Sequence, residues 1–105
     1  RVSVTHSSGI IASPEGLPLE LELAQNYPNP FNPETTFRYG LPETSHIQIR
    51  VFDNRGRLVR TLFNGIRSAG YHTISWQPKE VTSGVYYLQL QTDKTVKTQK
   101  CILLK

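Results

Sequence analysis

The chain has 105 residues, a length that suits one domain with a core stable without disulfide bonds or metals. Its formal net charge at pH 7 is +4, but the basic residues are spread along the chain and no nucleic-acid-binding motif accompanies them. This pattern argues against a nucleic-acid partner and favours solvated sheet faces, with attraction to an anionic cell surface as an alternative. No apolar run is long enough to cross a membrane, and the single Cys101 cannot form an internal disulfide bond.

Residues 1–18 differ in composition from the rest of the chain, because Ser, Gly and Pro punctuate them and few apolar residues are present. This composition predicts a linker from an upstream domain, with room for a short strand at residues 2–6. The chain contains no Met and begins inside this polar stretch. We therefore expect a piece or processed tail of a longer protein, with its own domain at residues 19–105.

From residue 19 onward, apolar and polar residues alternate with a period of two, which is typical of β-strands. Turn-forming residues separate the periodic segments, and Gly56 ends an Asp-Asn-Arg-Gly turn in which a positive φ is expected. We predict an exposed loop at residues 64–70 and a tight turn at residues 93–94. The predicted strands lie at residues 19–23, 37–41, 47–51, 58–63, 71–76, 84–92 and 95–104.

Seven short strands without helical periodicity predict an all-β fold, an antiparallel immunoglobulin-like β-sandwich of about seven strands. The inter-sheet disulfide bond of antibody domains cannot form with one cysteine, so apolar packing around Trp76 has to replace it. In the sixth strand, Tyr86, Leu88 and Leu90 are predicted to face inward. The inner face of the last strand stays ambiguous, because residues 102–104 are all apolar.

Residues with catalytic or metal-binding chemistry do not form a recognisable site. The histidines His6, His46 and His72 have no Cys or carboxylate at a metal-ligand spacing, which argues against zinc. Ser83 lacks a G-x-S-x-G context, and there is no Gly-rich phosphate loop. Cys101 is predicted to be a small core residue rather than a reactive thiol. We predict a protein that is not an enzyme and needs no cofactor.

Residues 23–33 form the most informative segment, in which three prolines and three asparagines alternate with two aromatic residues. Each proline fixes its own φ and restricts the residue before it, and asparagine side chains close local turns. We predict a stiff loop whose aromatic residues, Tyr27 and Phe31, pack into the core. Such a loop can serve to cross between two sheets or to be recognised by a receptor, and its sequence does not separate these roles.

Further motifs follow this loop in a fixed order. They read Thr-Phe-Arg-Tyr-Gly-Leu-Pro at 36–42, Val-Phe-Asp-Asn-Arg-Gly at 51–56, Ala-Gly-Tyr-His with a following Trp at 69–76, Ser-Gly-Val-Tyr at 83–86 and a lysine-containing end at 100–105. Together with the loop, this order resembles the C-terminal sorting domain of type IX secretion cargo proteins, the Por secretion tail family. The one departure is Cys101, where that family more often has a larger apolar residue.

The resemblance implies a non-catalytic signal that directs a parent protein through the periplasm and the outer-membrane translocon of a Gram-negative bacterium, to the cell surface or the medium. It implies a translocon and a sorting protease as partners, cleavage within the linker, and attachment of the parent to anionic lipopolysaccharide. The candidate signal residues are Pro28, Asn29, Pro30, Phe31, Asn32 and Pro33 in the loop, Gly84 and Tyr86 at the start of a strand, and Lys100 and Lys105 at the end of the chain.

Two other functions compete with a sorting signal. One is an immunoglobulin-like binding module retained on a secreted enzyme, which an exposed aromatic row would favour, with Tyr71 and Tyr87 as the best candidates. The other is a structural spacer similar to the flagellar hook-capping immunoglobulin-like domain. A spacer predicts that export does not depend on Lys100 or Lys105.

Overall fold

The computed structural model describes residues 16–105, which form seven β-strands and no helix. The strands pair in antiparallel fashion into a three-stranded sheet of order β1-β2-β5 and a four-stranded sheet of order β4-β3-β6-β7. The strands are β1 (Glu22–Leu23), β2 (Thr35–Leu41), β3 (Ser45–Asp53), β4 (Leu58–Arg67), β5 (Gly70–Trp76), β6 (Gly84–Gln91) and β7 (Val96–Leu103). The predicted all-β antiparallel sandwich is confirmed.

The strand order is that of an immunoglobulin-like sandwich in which the fourth strand has joined the sheet of the third, sixth and seventh. Tyr86, near the start of β6, donates a hydrogen bond from its hydroxyl to the carbonyl oxygen of Thr82 at 2.6 Å. This is the tyrosine corner found at the corresponding strand of immunoglobulin-like domains. It ties the loop before β6 to the core.

The core lies between the two sheets and is built from alternate residues of each strand, as the period of two predicts. Trp76 is 2% exposed, and its ring centroid lies 5.6 Å from that of Phe31 and 5.4 Å from that of Tyr86. Aromatic packing around Trp76 thus takes the place of the disulfide bond, as expected. The main buried residues are Phe37, Tyr39 and Leu41 of β2, Ile47, Ile49 and Val51 of β3, Leu88 and Leu90 of β6, and Cys101 and Leu103 of β7.

The prediction of an exposed loop at residues 64–70 is wrong for its first part. β4 continues to Arg67, and Asn64 and Gly65 pair with Gln48 and Ile47 of β3. The ring of Phe63 lies 3.3 Å from the position that a Cβ on Gly65 would take, so it covers the glycine from the side. Pairing with the nine-residue β3 has overridden the local preference of an Asn-Gly pair for a turn.

The first strand is shorter than predicted, because β1 contains only Glu22 and Leu23, although Leu21 is buried beside it. Gly56 has the predicted positive φ, at +85°. The predicted strand at residues 2–6 lies outside the described residues. Within residues 16–105, no helix has the length and apolar character needed to cross a bilayer.

Candidate functional site

The loop between β1 and β2 lies along the terminal strand β7 and is hydrogen-bonded to it. The backbone N–H of Phe31 donates to the carbonyl oxygen of Ile102 at 2.9 Å, and the N–H of Leu104 donates to the carbonyl oxygen of Phe31 at 3.0 Å. The side chain of Asn29 accepts a further bond of 2.9 Å from the N–H of Ile102. Phe31 and Leu103 form an isolated parallel bridge. We call residues 25–33 and 99–105 together the loop–strand unit.

Gln25 strengthens the same connection at the other end of the unit. Its side-chain N–H donates to the carbonyl oxygen of Lys100 at 3.3 Å, and its side-chain oxygen accepts a bond of 2.8 Å from the amide of Gln99. The loop is therefore joined to β7 on both sides of Cys101. Two segments that are far apart in the sequence form one surface.

The inside of the loop is fixed by two buried polar residues, Asn26 and Thr35, which are 2% and 1% exposed. The Asn26 amide donates to the carbonyl oxygen of Pro28 at 3.1 Å and to the hydroxyl of Thr35 at 2.9 Å. The Thr35 hydroxyl donates to that same carbonyl at 2.8 Å. Buried polar groups are costly unless they are paired, so this network favours one loop shape. The peptide bonds before Pro28, Pro30 and Pro33 are cis.

The two aromatic residues of the loop do not behave alike. Phe31 is 2% exposed and packs on Trp76, as predicted, but Tyr27 is 82% exposed, so the prediction that it packs into the core is wrong. The backbone of Tyr27 pairs with Thr36 in extended geometry through bonds of 2.9 and 3.0 Å. Successive side chains of extended backbone point to opposite sides, and Asn26 takes the inward position.

The remaining loop candidates are on the surface. They surround the buried anchor Phe31, and the exposed candidates are Pro28, Asn29, Pro30, Asn32 and Pro33. The sequence predicted that Asn26 closes a local turn, which its bond to Pro28 confirms, but it did not predict that Gln25 and Thr35 hold this loop. Gln25 and Asn26 stand inside the motif, which was the available signal, whereas Thr35 carried none.

The two candidates at the end of the chain, Lys100 and Lys105, have different neighbours. Lys100 is exposed on β7 and pairs with Tyr87 of β6. Lys105 is exposed; its N–H donates to the Ser83 hydroxyl at 2.8 Å, and its ammonium donates to the carbonyl oxygen of Lys79 at 3.3 Å. The tail of the chain is thus fastened near the start of β6.

The two candidates at the start of β6 have different environments. Gly84 pairs with Leu103 and has a φ of +157°, a conformation that residues with side chains rarely adopt, although the space around it is open. Tyr86 is buried among core aromatic residues and pairs with Cys101. The structure therefore separates these two from the exposed part of the loop–strand unit.

The outer face of the four-stranded sheet carries a shallow hollow of about 390 Å³. Phe52 and Tyr87 are half-buried and opposite each other on β3 and β6, with Asn54, Gln89 and Thr98 completing the rim. Tyr71 belongs to the other sheet, on β5, beneath the guanidinium of Arg38 at 4.4 Å. Tyr71 and Tyr87 therefore do not form a row.

Metal and thiol chemistry find little support in the described part of the chain. Residues 16–105 contain no group of three or more His, Cys, Asp or Glu side chains that could hold a metal ion, and His6 lies outside them. His72 bonds the carbonyl oxygen of Ser68 through its ring Nε2 at 2.9 Å. Cys101 is fully buried, and burial raises the pKa of its thiol to about 12. A thiol in this environment is a core residue, as predicted.

Comparison with known proteins bears directly on the loop–strand unit. The model of the secretion system C-terminal sorting domain matches residues 25–104. The chain belongs to this family. The match begins at Gln25 and ends at Leu104, the two residues whose hydrogen bonds join the loop and β7 at its ends. No curated protein matches the chain.

Membership of the sorting-domain family confirms the resemblance to type IX secretion tails. The domain is a C-terminal secretion sorting signal, its general partner is the type IX secretion machinery, and its destination is the cell surface or the medium. Sorting domains of this family are in general non-catalytic.

Proposed function

We propose that this sorting domain is recognised as a folded unit and directs a parent protein from the periplasm through the outer-membrane translocon. The observation that carries this proposal is the pair of hydrogen bonds from Ile102, whose N–H and carbonyl group both bind the loop at 2.9 Å. Because these bonds join the loop motif to the terminal strand, a receptor that contacts one contacts both. Recognition then requires the folded sandwich rather than a linear peptide.

Each candidate residue has a distinct task in this proposal. Phe31 anchors the loop in the core, and Pro28, Asn29 and Pro30 with Asn32 and Pro33 form the presented surface. A surface that is already ordered loses less conformational entropy when it docks, which favours affinity. Lys100 and Lys105 supply positive charge at the terminal end, while Gly84 and Tyr86 support the strand beside it.

The later steps of sorting are also part of the proposal. A sorting protease removes the domain by cutting in the linker at residues 1–18, upstream of the domain at 19–105, and the parent is attached to anionic lipopolysaccharide. The composition of residues 1–18, rich in Ser, Gly and Pro, supports an accessible cleavage site. The released parent then carries the upstream domain alone.

An export assay tests the proposal. The 105-residue chain is fused to the C-terminus of a periplasm-directed fluorescent protein, in a bacterium with a working type IX system and in a strain that lacks the translocon. We expect fluorescence on the surface or in the medium of the competent strain alone. Retention of the folded fusion in the periplasm of both strains would contradict a sorting function.

Charge variants sharpen the assay. We expect Lys100→Ala with Lys105→Ala to reduce export, whereas Lys97→Ala, a change of another exposed lysine on the same strand, leaves it unchanged. Equal export of all variants would show that the terminal lysines are not part of the signal. That result is also the one that the structural-spacer hypothesis predicts. The fluorescence of the fusion and the thermal unfolding of the purified domain control for folding.

The second candidate function is an immunoglobulin-like binding module retained on a secreted enzyme. The hollow beside Phe52 and Tyr87 favours it, because half-buried aromatic rings next to amide groups suit a small polar ligand. A retained module predicts that the mature surface protein still contains residues 25–104. Mass spectrometry of the exported fusion distinguishes it from a domain that is cleaved.

A further inference from the structure

Tyr27 stands apart from every other aromatic residue of the chain. All ten aromatic side chains lie in the described region, and nine of them are buried or half-buried, whereas Tyr27 is 82% exposed. Its ring takes part in no aromatic stacking or cation–π pair, and its hydroxyl has no hydrogen-bond partner within residues 16–105. The fold therefore does not use this side chain.

The position of Tyr27 is nevertheless fixed. Its N–H and carbonyl group both bond to Thr36, at 2.9 and 3.0 Å, and its neighbour Asn26 is held in the buried network. Pro28 follows and restricts its backbone further. Scattered exposed apolar residues need no explanation, but a large aromatic ring presented from an ordered backbone is the form that interface anchors take.

The surroundings of Tyr27 extend this exposed feature. Pro28, Asn29 and Pro30 are exposed too, so four consecutive residues form a ridge that we call the Tyr27 ridge. The ridge is part of the loop–strand unit, and Asn29 bonds it to Ile102 of β7. A tyrosine loses little conformational entropy on binding, since only two side-chain torsions must be ordered.

We infer that Tyr27 is the anchor residue through which the sorting receptor of the type IX machinery binds this domain. The ring enters an apolar pocket on the receptor, and Pro28, Asn29 and Pro30 contact its rim. This inference rests on the proposed function and adds to it a residue that sequence reasoning had placed in the core. It separates the two aromatic residues of the motif, because Phe31 holds the loop and Tyr27 binds the partner.

The export assay with the full-chain fusion tests this inference. We expect Tyr27→Ala to lower the rate of export by at least about tenfold, the scale of losing an interface hot spot. Tyr27→Phe, which keeps the ring, should retain most of the export. Ile66→Ala is the matched control, because Ile66 is 69% exposed on β4, outside the loop–strand unit.

The possible results separate the two levels of the proposal. If the unaltered fusion is exported and Tyr27→Ala is exported equally well, the anchor inference is overturned and the sorting function stands. If the unaltered fusion stays in the periplasm of the competent strain, the sorting function itself fails. Tyr27→Gln, a polar change, accompanies Tyr27→Ala, and thermal unfolding is measured for both. Lost export with unchanged unfolding supports the anchor, whereas lost export with unfolding of both variants overturns it.

Discussion

Asn29 and Ile102 are joined by a hydrogen bond of 2.9 Å between the asparagine side chain and the backbone N–H, although 73 positions separate them. The bond occupies a backbone group at the edge of the four-stranded sheet, where β7 has no further strand beside it among residues 16–105. An open sheet edge tends to pair with other chains, and a loop that covers it suppresses such pairing. The loop therefore protects the terminal strand and at the same time brings the two parts of the loop–strand unit together.

The first prediction concerns the network inside the loop. Asn26→Ala removes the donor to Pro28 and to the buried hydroxyl of Thr35, which is left with fewer partners, so we expect a loss of about 1–3 kcal/mol in the free energy of unfolding. Asn32→Ala, at an exposed position whose side chain makes no hydrogen bond within residues 16–105, should change this free energy by less than about 0.5 kcal/mol. Urea denaturation measures both, and equal values would show that the network adds no stability.

The second prediction separates the two aromatic residues of the loop by stability. Phe31→Ala leaves a cavity beside Trp76 and should cost about 3–5 kcal/mol, a large part of the ~5–15 kcal/mol typical of a domain. Tyr27→Ala removes a solvent-exposed ring and should change the free energy of unfolding by less than about 0.5 kcal/mol. Denaturation of both variants checks this, and a large cost for Tyr27→Ala would mean that its ring packs on the fold.

The strands and their inward faces could be predicted from sequence because the signal is local. Over residues 37–41 of β2, 47–51 of β3 and 88–91 of β6, apolar residues alternate with polar residues or glycine, which selects one face, and the structure buries that face. The extension of β4 through Asn64 and Gly65 could not be predicted, because it depends on partners in β3 rather than on the two residues themselves. The inner face of β7 was ambiguous for the same reason, since Cys101 and Leu103 face inward through pairing with β6.

For the candidate site, only the sequence motif could be predicted, and its three-dimensional contacts could not. The motif located the loop and its stiffness, but its attachment to β7 joins residues about 70 positions apart, and no local pattern encodes such a contact. The sequence also could not predict that Tyr27 is exposed and Phe31 buried, because both are aromatic and both stand beside prolines. Asn26 is buried beside Tyr27 through its bond to Thr35, nine positions away, whereas Phe31 is held by its backbone bonds to Ile102 and Leu104.

The third prediction concerns the turn between β3 and β4. Hydrogen bonds from the backbone N–H of Arg57, and then from that of Arg55 and from the Arg57 side chain, lower the pKa of Asp53 below 3.8. A lowered pKa contributes stability above 3.8, which is lost as the pH falls through the folded-state value. Asp53→Asn should therefore be less stable than the unaltered protein at neutral pH. The difference between their free energies of unfolding should become smaller in acid.

The control for this turn is Asp93→Asn in the hairpin between β6 and β7, where the Asp93 side chain accepts no hydrogen bond from the described part of the chain. Urea denaturation of the three proteins between about pH 7 and about pH 2 gives the comparison. We expect Asp93→Asn to cost less stability at neutral pH than Asp53→Asn, because Asp53→Asn disturbs three hydrogen bonds to the carboxylate. If the difference in the free energy of unfolding between Asp53→Asn and the unaltered protein stays constant in acid, the carboxylate charge is not the cause of that difference.

The last prediction concerns Cys101, which faces the core from β7 and donates a weak bond from its thiol to the carbonyl oxygen of Tyr86 at 3.6 Å. Burial raises the pKa of this thiol from 9.0 to about 12, so the unfolded chain ionises first as the pH rises. The thiol's contribution to stability is therefore complete below pH 9.0 and is lost between pH 9.0 and about 12. Relative to Cys101→Ala, the unaltered protein should lose about 1.4 kcal/mol of its free energy of unfolding for each pH unit in that window.

Denaturation curves of both proteins at several alkaline pH values measure this difference, in which the effects of other titrating groups cancel. Parallel curves would indicate that the thiolate is already formed in the folded state, and rapid alkylation of the native thiol would then be observed.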